Sequence, residues 1–285
     1  MTAGALLALL AALSYGVGDF VGGLGGRRGN AALIAIPVQA VGIVAAGLAI
    51  LAGIGGAPDT SVLVWGAIGG LGSGLGNAAL LRGLAGGTMS VVAPLSAIVS
   101  AALPAVVGVV SGERLGVWGW TGVLLALPAV ALTSWSGPVA GFQRSDIVYG
   151  VLAGCGFGLL FIALDQAGTD AGAWPLLPGQ AVALVFVSLA ALPAVRRFRR
   201  ERRPLGVATT LRWGVACGVF GSTANLLFLL ATGAGQLSVV AVLAGLYPAV
   251  TVAMAAVFLH ERIKTWQFAG LMTAAVAVVL IVTGA

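Results

Sequence analysis

The chain has 285 residues, of which 60% are hydrophobic and 8% charged, with a mean hydropathy of +1.10. Soluble domains carry roughly 25% charged residues, so this chain has too few charges to clothe a water-facing surface, and an ordinary soluble globule is excluded. The net charge of +6 does not form a nucleic-acid patch, because Arg196, Arg197, Arg199, Arg200, Arg202 and Arg203 stand in one run broken by Glu201. A basic cluster directly after an apolar stretch reads as a topology anchor against anionic cytoplasmic lipid.

Apolar stretches of about 20 residues predict membrane helices. Ten occur in chain order, at about 3–25, 31–53, 61–82, 88–110, 116–136, 147–166, 173–195, 209–232, 236–259 and 266–284. The first lacks a basic n-region and runs on past Leu13, so it reads as an uncleaved span rather than a signal peptide. Connections are too short for an extramembrane domain. Cys155 and Cys217 fall inside spans and read as small packing residues. The fold class expected is an all-α polytopic membrane protein with ten transmembrane helices.

The chain repeats itself. Residues 61–137 moved by 148 positions fall on 209–285, and 23 of the 77 aligned pairs are identical. Trp65 meets Trp213, Asn77 meets Asn225, Ser90 meets Ser238, and Glu113-Arg114 meets Glu261-Arg262. The first two spans repeat at an offset of 141, pairing Phe20 with Phe161, Pro37 with Pro178 and Gln39 with Gln180. The difference of seven residues is an insertion where the arginine run lies. The units are about 1–137 and 144–285, each with five spans. An odd number of spans turns the second unit over in the bilayer, which is the inverted repeat of secondary transporters.

Ten spans place both termini on one side. Thirteen of the 14 Lys and Arg flank the connections after spans 1, 3, 5, 7 and 9, and Arg114 alone flanks an even one. The positive-inside rule then puts the odd connections in the cytoplasm and the termini outside.

Polar residues at membrane depth mark function by default. Asp19 in the first span is the strongest candidate. It reads either as a protonatable coupling site and cation counter-charge, or as an interfacial partner of Arg27 or Arg28. Gln39 and Gln180 hold equivalent mid-span places two residues after a proline, where Pro37 and Pro178 would loosen the helix. They could face one cavity or simply bond between helices. Asn77 and Asn225 are a second symmetric pair, suited to substrate contact or to a helix cross-link. Tyr15 and Tyr247 complete the cavity candidates. Ser90 and Ser238 begin spans and can cap them. Pro94 and Pro248 are expected to break spans 4 and 9. Glycines four apart (Gly18, Gly22 and Gly26; Gly66, Gly70 and Gly74; Gly150, Gly154 and Gly158) suit close helix packing and sliding. No motif for a metal, nucleotide cofactor or catalytic triad is present, so no enzyme activity and no cofactor are expected.

The run from Gly87 to Leu95, followed by Gly112-Glu113-Arg114 and Gly122, resembles the EamA repeat of the drug/metabolite transporter superfamily. Its second copy runs from Gly235 through Ser238 to Glu261-Arg262 and Gly270. Tyr15-Gly16 stands where that family usually has Trp-Gly. His260 replaces the usual Gly before the second Glu, so that turn is expected to differ. The resemblance implies two inverted five-helix EamA repeats around a central cavity. It also implies a multi-pass cytoplasmic-membrane transporter of a small organic metabolite, often an exporter. It puts both termini inside, against the arginine distribution, and the distribution is the stronger signal here. The expected mechanism is alternating access, with Asp19 as the proton-coupling residue. The alternatives are a passive exchanger on the same fold and a non-transporting scaffold or lipid-handling protein. Expected partners are the small-molecule substrate and the lipid bilayer.

Overall fold

The structure, a computed structural model, describes residues 3–86, 89–135, 143–201 and 206–284, without the side chains of 84–86, 89, 90 and 199. The described residues form eleven helices. These are α1 (Ala3–Arg28), α2 (Ala31–Leu51), α3 (Thr60–Gly86), α4 (Met89–Val110), α5 (Val117–Ser134), α6 (Arg144–Ala167), α7 (Leu176–Arg200), α8 (Val207–Thr232), α9 (Leu237–Ala244), α10 (Tyr247–Phe258) and α11 (Thr265–Gly284). They make ten spans long and apolar enough to cross a membrane, α9 and α10 being two parts of one. The protein is an all-α polytopic membrane protein.

Two boundaries differ from the sequence reading. Helix α7 runs on to Arg200, so the arginine run begins on a helix, where Arg197 pairs with Glu201 one turn away at 2.8 Å; Arg202 and Arg203 lie outside the described residues. Pro178 does not loosen α7, because it falls in the first turn, where a missing N–H leaves no bond unmade. Pro37 is inside α2, as expected, and α4 continues through both Pro94 and Pro104. Of the expected breaks, only the one at Pro248 forms. There the chain leaves the helix at Gly245–Leu246 and restarts at Tyr247.

Successive spans alternate in direction. One face of the bundle therefore carries the connections after α1, α3, α5, α7 and α10 and is rich in arginine; the other carries both terminal ends. Packing is almost entirely between the two halves. Helices α1, α8, α2, α7, α3, α6, α4 and α9 follow one another around a ring that closes back on α1. Helices α5 and α11 pair outside the ring, with α5 resting on α4, α9 and α10. Moving each helix on by five spans turns α1–α8 into α6–α3 and α8–α2 into α3–α7, so the ring maps onto itself.

Glycine makes these crossings close. A Cβ on Gly70 would collide with the Gly179 carbonyl, and one on Gly66 with that of Pro175. Gly156 of α6 lies against Gly72 and Gly76 of α3. Backbones that approach this closely gain dispersion contacts, which must replace the hydrophobic effect in lipid. Outside the ring, Leu6, Leu10 and Leu13 of α1 and Val185 and Leu189 of α7 are exposed, as lipid-facing residues should be. The densest burial is on α9, where every residue from Leu237 to Ala244 is buried.

Candidate functional site

The inner stripe of α1 carries Tyr15, Asp19 and Gly23, each four residues from the next. Asp19 and Leu10 are nine positions apart, which is half a turn at about 100° per residue. Leu10 is on the lipid side, so the exposed Asp19 carboxylate opens towards the inside of the ring. Asp19 lies nine residues from the end of α1, about 13 Å along the axis. Its interfacial reading is corrected by the structure: Arg27 pairs with Glu261 at 3.4 Å and Arg28 lies over Trp213, 5.1 Å from the ring centre. Asp19 has no cationic partner among the described residues. It is within electrostatic reach of Tyr15, Tyr247 and Cys217.

Tyr15 closes the floor below Asp19. Its hydroxyl donates to Asn225 Oδ1 of α8 at 2.5 Å. Its ring lies 6.0 Å from Phe161 of α6 and 6.2 Å from Tyr247 of α10. Phe161 in turn stacks on Phe228 at 4.3 Å. Four elements from both halves therefore meet at one aromatic cluster. Thr251 stitches the broken span to α1, its hydroxyl donating to the carbonyls of Gly16 and Tyr247, each at 3.2 Å. Above the floor, towards the arginine-rich face, Gly23 and Gly221 have nothing within 4 Å of where a Cβ would be. Towards the terminal face the contacts are tight, with Gly4 against Ala234 and Gly235 and with Gly55 against Ala171 and Trp174. Packing is thus tighter on the terminal side than beside Gly23 and Gly221 on the arginine-rich side.

Of the seven candidates, Tyr15, Asp19, Asn225 and Tyr247 come together. The other three do not join them. Asn77 donates to the Ser73 carbonyl of its own helix at 2.9 Å, so it is neither a helix cross-link nor a mate of Asn225. Gln39 and Gln180 are more than nine-tenths buried. Gln180 packs on Gly42, in the seam where α7 meets α2. Ser238 does not cap α9, because Gln236 holds the cap position and Ser238 lies in the first turn; the Ser90 side chain lies outside the described residues. Phe161 and Phe228 were missed as site residues. The pairing of Phe161 with Phe20 in the repeat was the only available signal. Two grooves of about 390 and 530 Å³ at the arginine-rich ends of α2 and α7 contain none of the seven.

The His260 turn differs from its counterpart in its bonding: the Glu113 N–H reaches back to the Gly108 carbonyl at 3.0 Å, whereas that of Glu261 reaches one residue further back, to Ala255, at 3.4 Å. His260 holds a φ of 55°, and its counterpart Gly112 a φ of 92°. Both turns use the left-handed region, and in the second copy a side chain carries the strain.

These features are those of a polytopic membrane protein with a polar and aromatic cluster inside its helix ring. Residues 144–283 match the model of the EamA-like transporter family. That match covers 140 of the 285 residues, so the likeness to EamA-like transporters is that of the second half of the chain. No curated protein matches. Seventeen chains of solved structures match this one. One crystal structure, 19% identical, superposes with a TM-score of 0.67 over 99% of this chain and 94% of its own.

Proposed function

We propose that the protein is a secondary transporter that exports a small organic cation with an apolar or aromatic body, in exchange for protons. The observation that carries this is the Asp19 carboxylate, which faces the inside of the ring without a cationic partner among the described residues, directly above Tyr15 and Tyr247. A buried-side carboxylate is stabilised by a proton or by a cation, and aromatic faces favour the same cation. One carboxylate cannot hold both ligands, so a proton arriving from the side to which the site is open displaces the cation to that same side. That exclusion gives antiport when the empty carrier does not switch sides.

The units 1–137 and 144–285 are the two inverted repeats in this reading, and they rock about the ring seams. Export rests on the family resemblance and on positive-inside counting, which turns the arginine-rich side towards the cytoplasm of a cell carrying this protein in its cytoplasmic membrane. The test is flux in proteoliposomes loaded with a mixed metabolite pool under an imposed pH gradient, read by mass spectrometry. Protein-dependent release of amines that collapses without the gradient supports the reading, as does its loss in Asp19→Asn. Release unaffected by the gradient would leave a passive exchanger. No flux at all would turn attention to a scaffold or lipid-handling role.

A further inference from the structure

We infer that Glu113 and Glu261 are the two gate residues of the transport cycle, each clamping the first turn of a helix in the other half, with one clamp closed at a time. The inference rests on the alternating-access reading above. Glu113 follows α4 on the terminal face. Its carboxylate accepts the N–H of Leu237 at 2.6 Å and that of Ser238 at 3.0 Å, the first two of α9. These donors have no partner within their helix, and the helix dipole adds a favourable field for an anion. The neighbouring Arg114 carbonyl accepts from Gln236 Nε2 at 3.2 Å. On this face the half-to-half contact is complete, and α9 is buried throughout.

The repeat carries this contact to the opposite face. Advancing by 148 turns Glu113-Arg114 into Glu261-Arg262, and moving back by 148 turns Leu237-Ser238 into Met89-Ser90, the start of α4. Both sides of the clamp are therefore encoded twice. Among the described residues only one copy is made. The Glu261 side chain is 52% exposed, and its one partner among the described residues is Arg27 at 3.4 Å. An exposed pair of that length contributes little.

The packing explains why the two clamps exclude each other. Helix α4 and the ninth span run in opposite directions. They cross where Gly245 meets Ala101, so closely that a Cβ on Gly245 would lie 2.7 Å from the Ala101 Cβ. On the terminal side α4 packs on α9, whereas on the arginine-rich side α10 rests on α1 and α5. Two rods crossing at small residues close at one end as they open at the other. The helix break at Gly245–Leu246 lies at this pivot.

The test places nitroxide pairs in a background with Cys155→Ala and Cys217→Ala. One pair, Val110→Cys with Ala234→Cys, spans the terminal face; the other, Arg82→Cys with Phe258→Cys, spans the arginine-rich face. Distance distributions are read by pulsed electron resonance, beside flux. Glu113→Gln should shift the two-state ratio by roughly tenfold towards a wide first pair and a narrow second one. Glu261→Gln should remove the minor population with the wide first pair and slow flux at least about tenfold. Because Glu261 is exposed and unclamped here, a merely structural role predicts that Glu261→Gln is silent, and its folding is not at risk even where Glu113→Gln fails to fold. Unchanged distances and flux in Glu261→Gln would overturn the inference. Should wild-type vesicles move no solute while the distances still exchange as stated, the transporter reading fails and the clamps stand.

Discussion

Asp19, Tyr15 and His260 each make a claim that a single substitution can check. Asp19→Asn keeps the shape of the side chain and removes its charge. Since no ion pair is broken, the protein should melt within about 0.5 kcal/mol of wild type while gradient-driven flux falls to background. A large drop in thermal stability would mean the carboxylate has a structural partner. Tyr15→Phe keeps the ring against Phe161 and Tyr247 and leaves Asn225 without its donor. It should cost about 1 kcal/mol of stability and change substrate affinity, measured by tryptophan quenching with candidate amines. His260→Gly removes a side chain from the left-handed region, where a non-glycine residue costs about 1 kcal/mol or more. It should raise thermal stability by up to about 1 kcal/mol, since glycine's extra freedom when unfolded takes back part of the gain.

At the scale of helices, the glycine crossings and the broken span decide the architecture. Gly70→Leu should abolish folded yield, because the Gly179 backbone lies in its way and has nowhere to retreat. Gly47→Leu, which meets nothing within 4 Å, should be recovered in normal yield by size-exclusion chromatography. This contrast also marks what the sequence could convey. Ten apolar stretches, the repeat and the glycine spacing are visible in a linear chain because each follows from a local period. Which helices adjoin is a different matter. Gln39 and Gln180 looked like cavity residues because their positions match between the halves, yet symmetric positions can equally line a seam. Ser238 looked like a cap because it begins an apolar run, but the helix starts one residue earlier. The inward direction of Asp19 needed the ring, since only the ring tells which flank of α1 faces lipid. Span 4 and span 9 both contain proline, and whether a proline breaks a helix depends on neighbours that supply other bonds.

For the whole molecule, the arginine distribution gives a prediction independent of substrate. The arginine-rich connections should face the cytoplasm, so a C-terminal reporter that works only outside the cytoplasm should be active, and a green-fluorescent fusion dark. The opposite pair of results would favour the family's usual orientation and turn the arginine-rich side outward.

Tyr15 falls opposite Gly156 in the repeat, and this mismatch has a thermodynamic consequence. In the proposed cycle the gates are written twice, whereas the proposed seat for cargo is written once, against α1, α8 and α10. A carrier with mirrored doors and a single lopsided seat loads from its two sides through different surroundings. Its half-saturation concentrations for entry and exit need not be equal, and under the proposed exchange the proton gradient alone fixes where net movement stops.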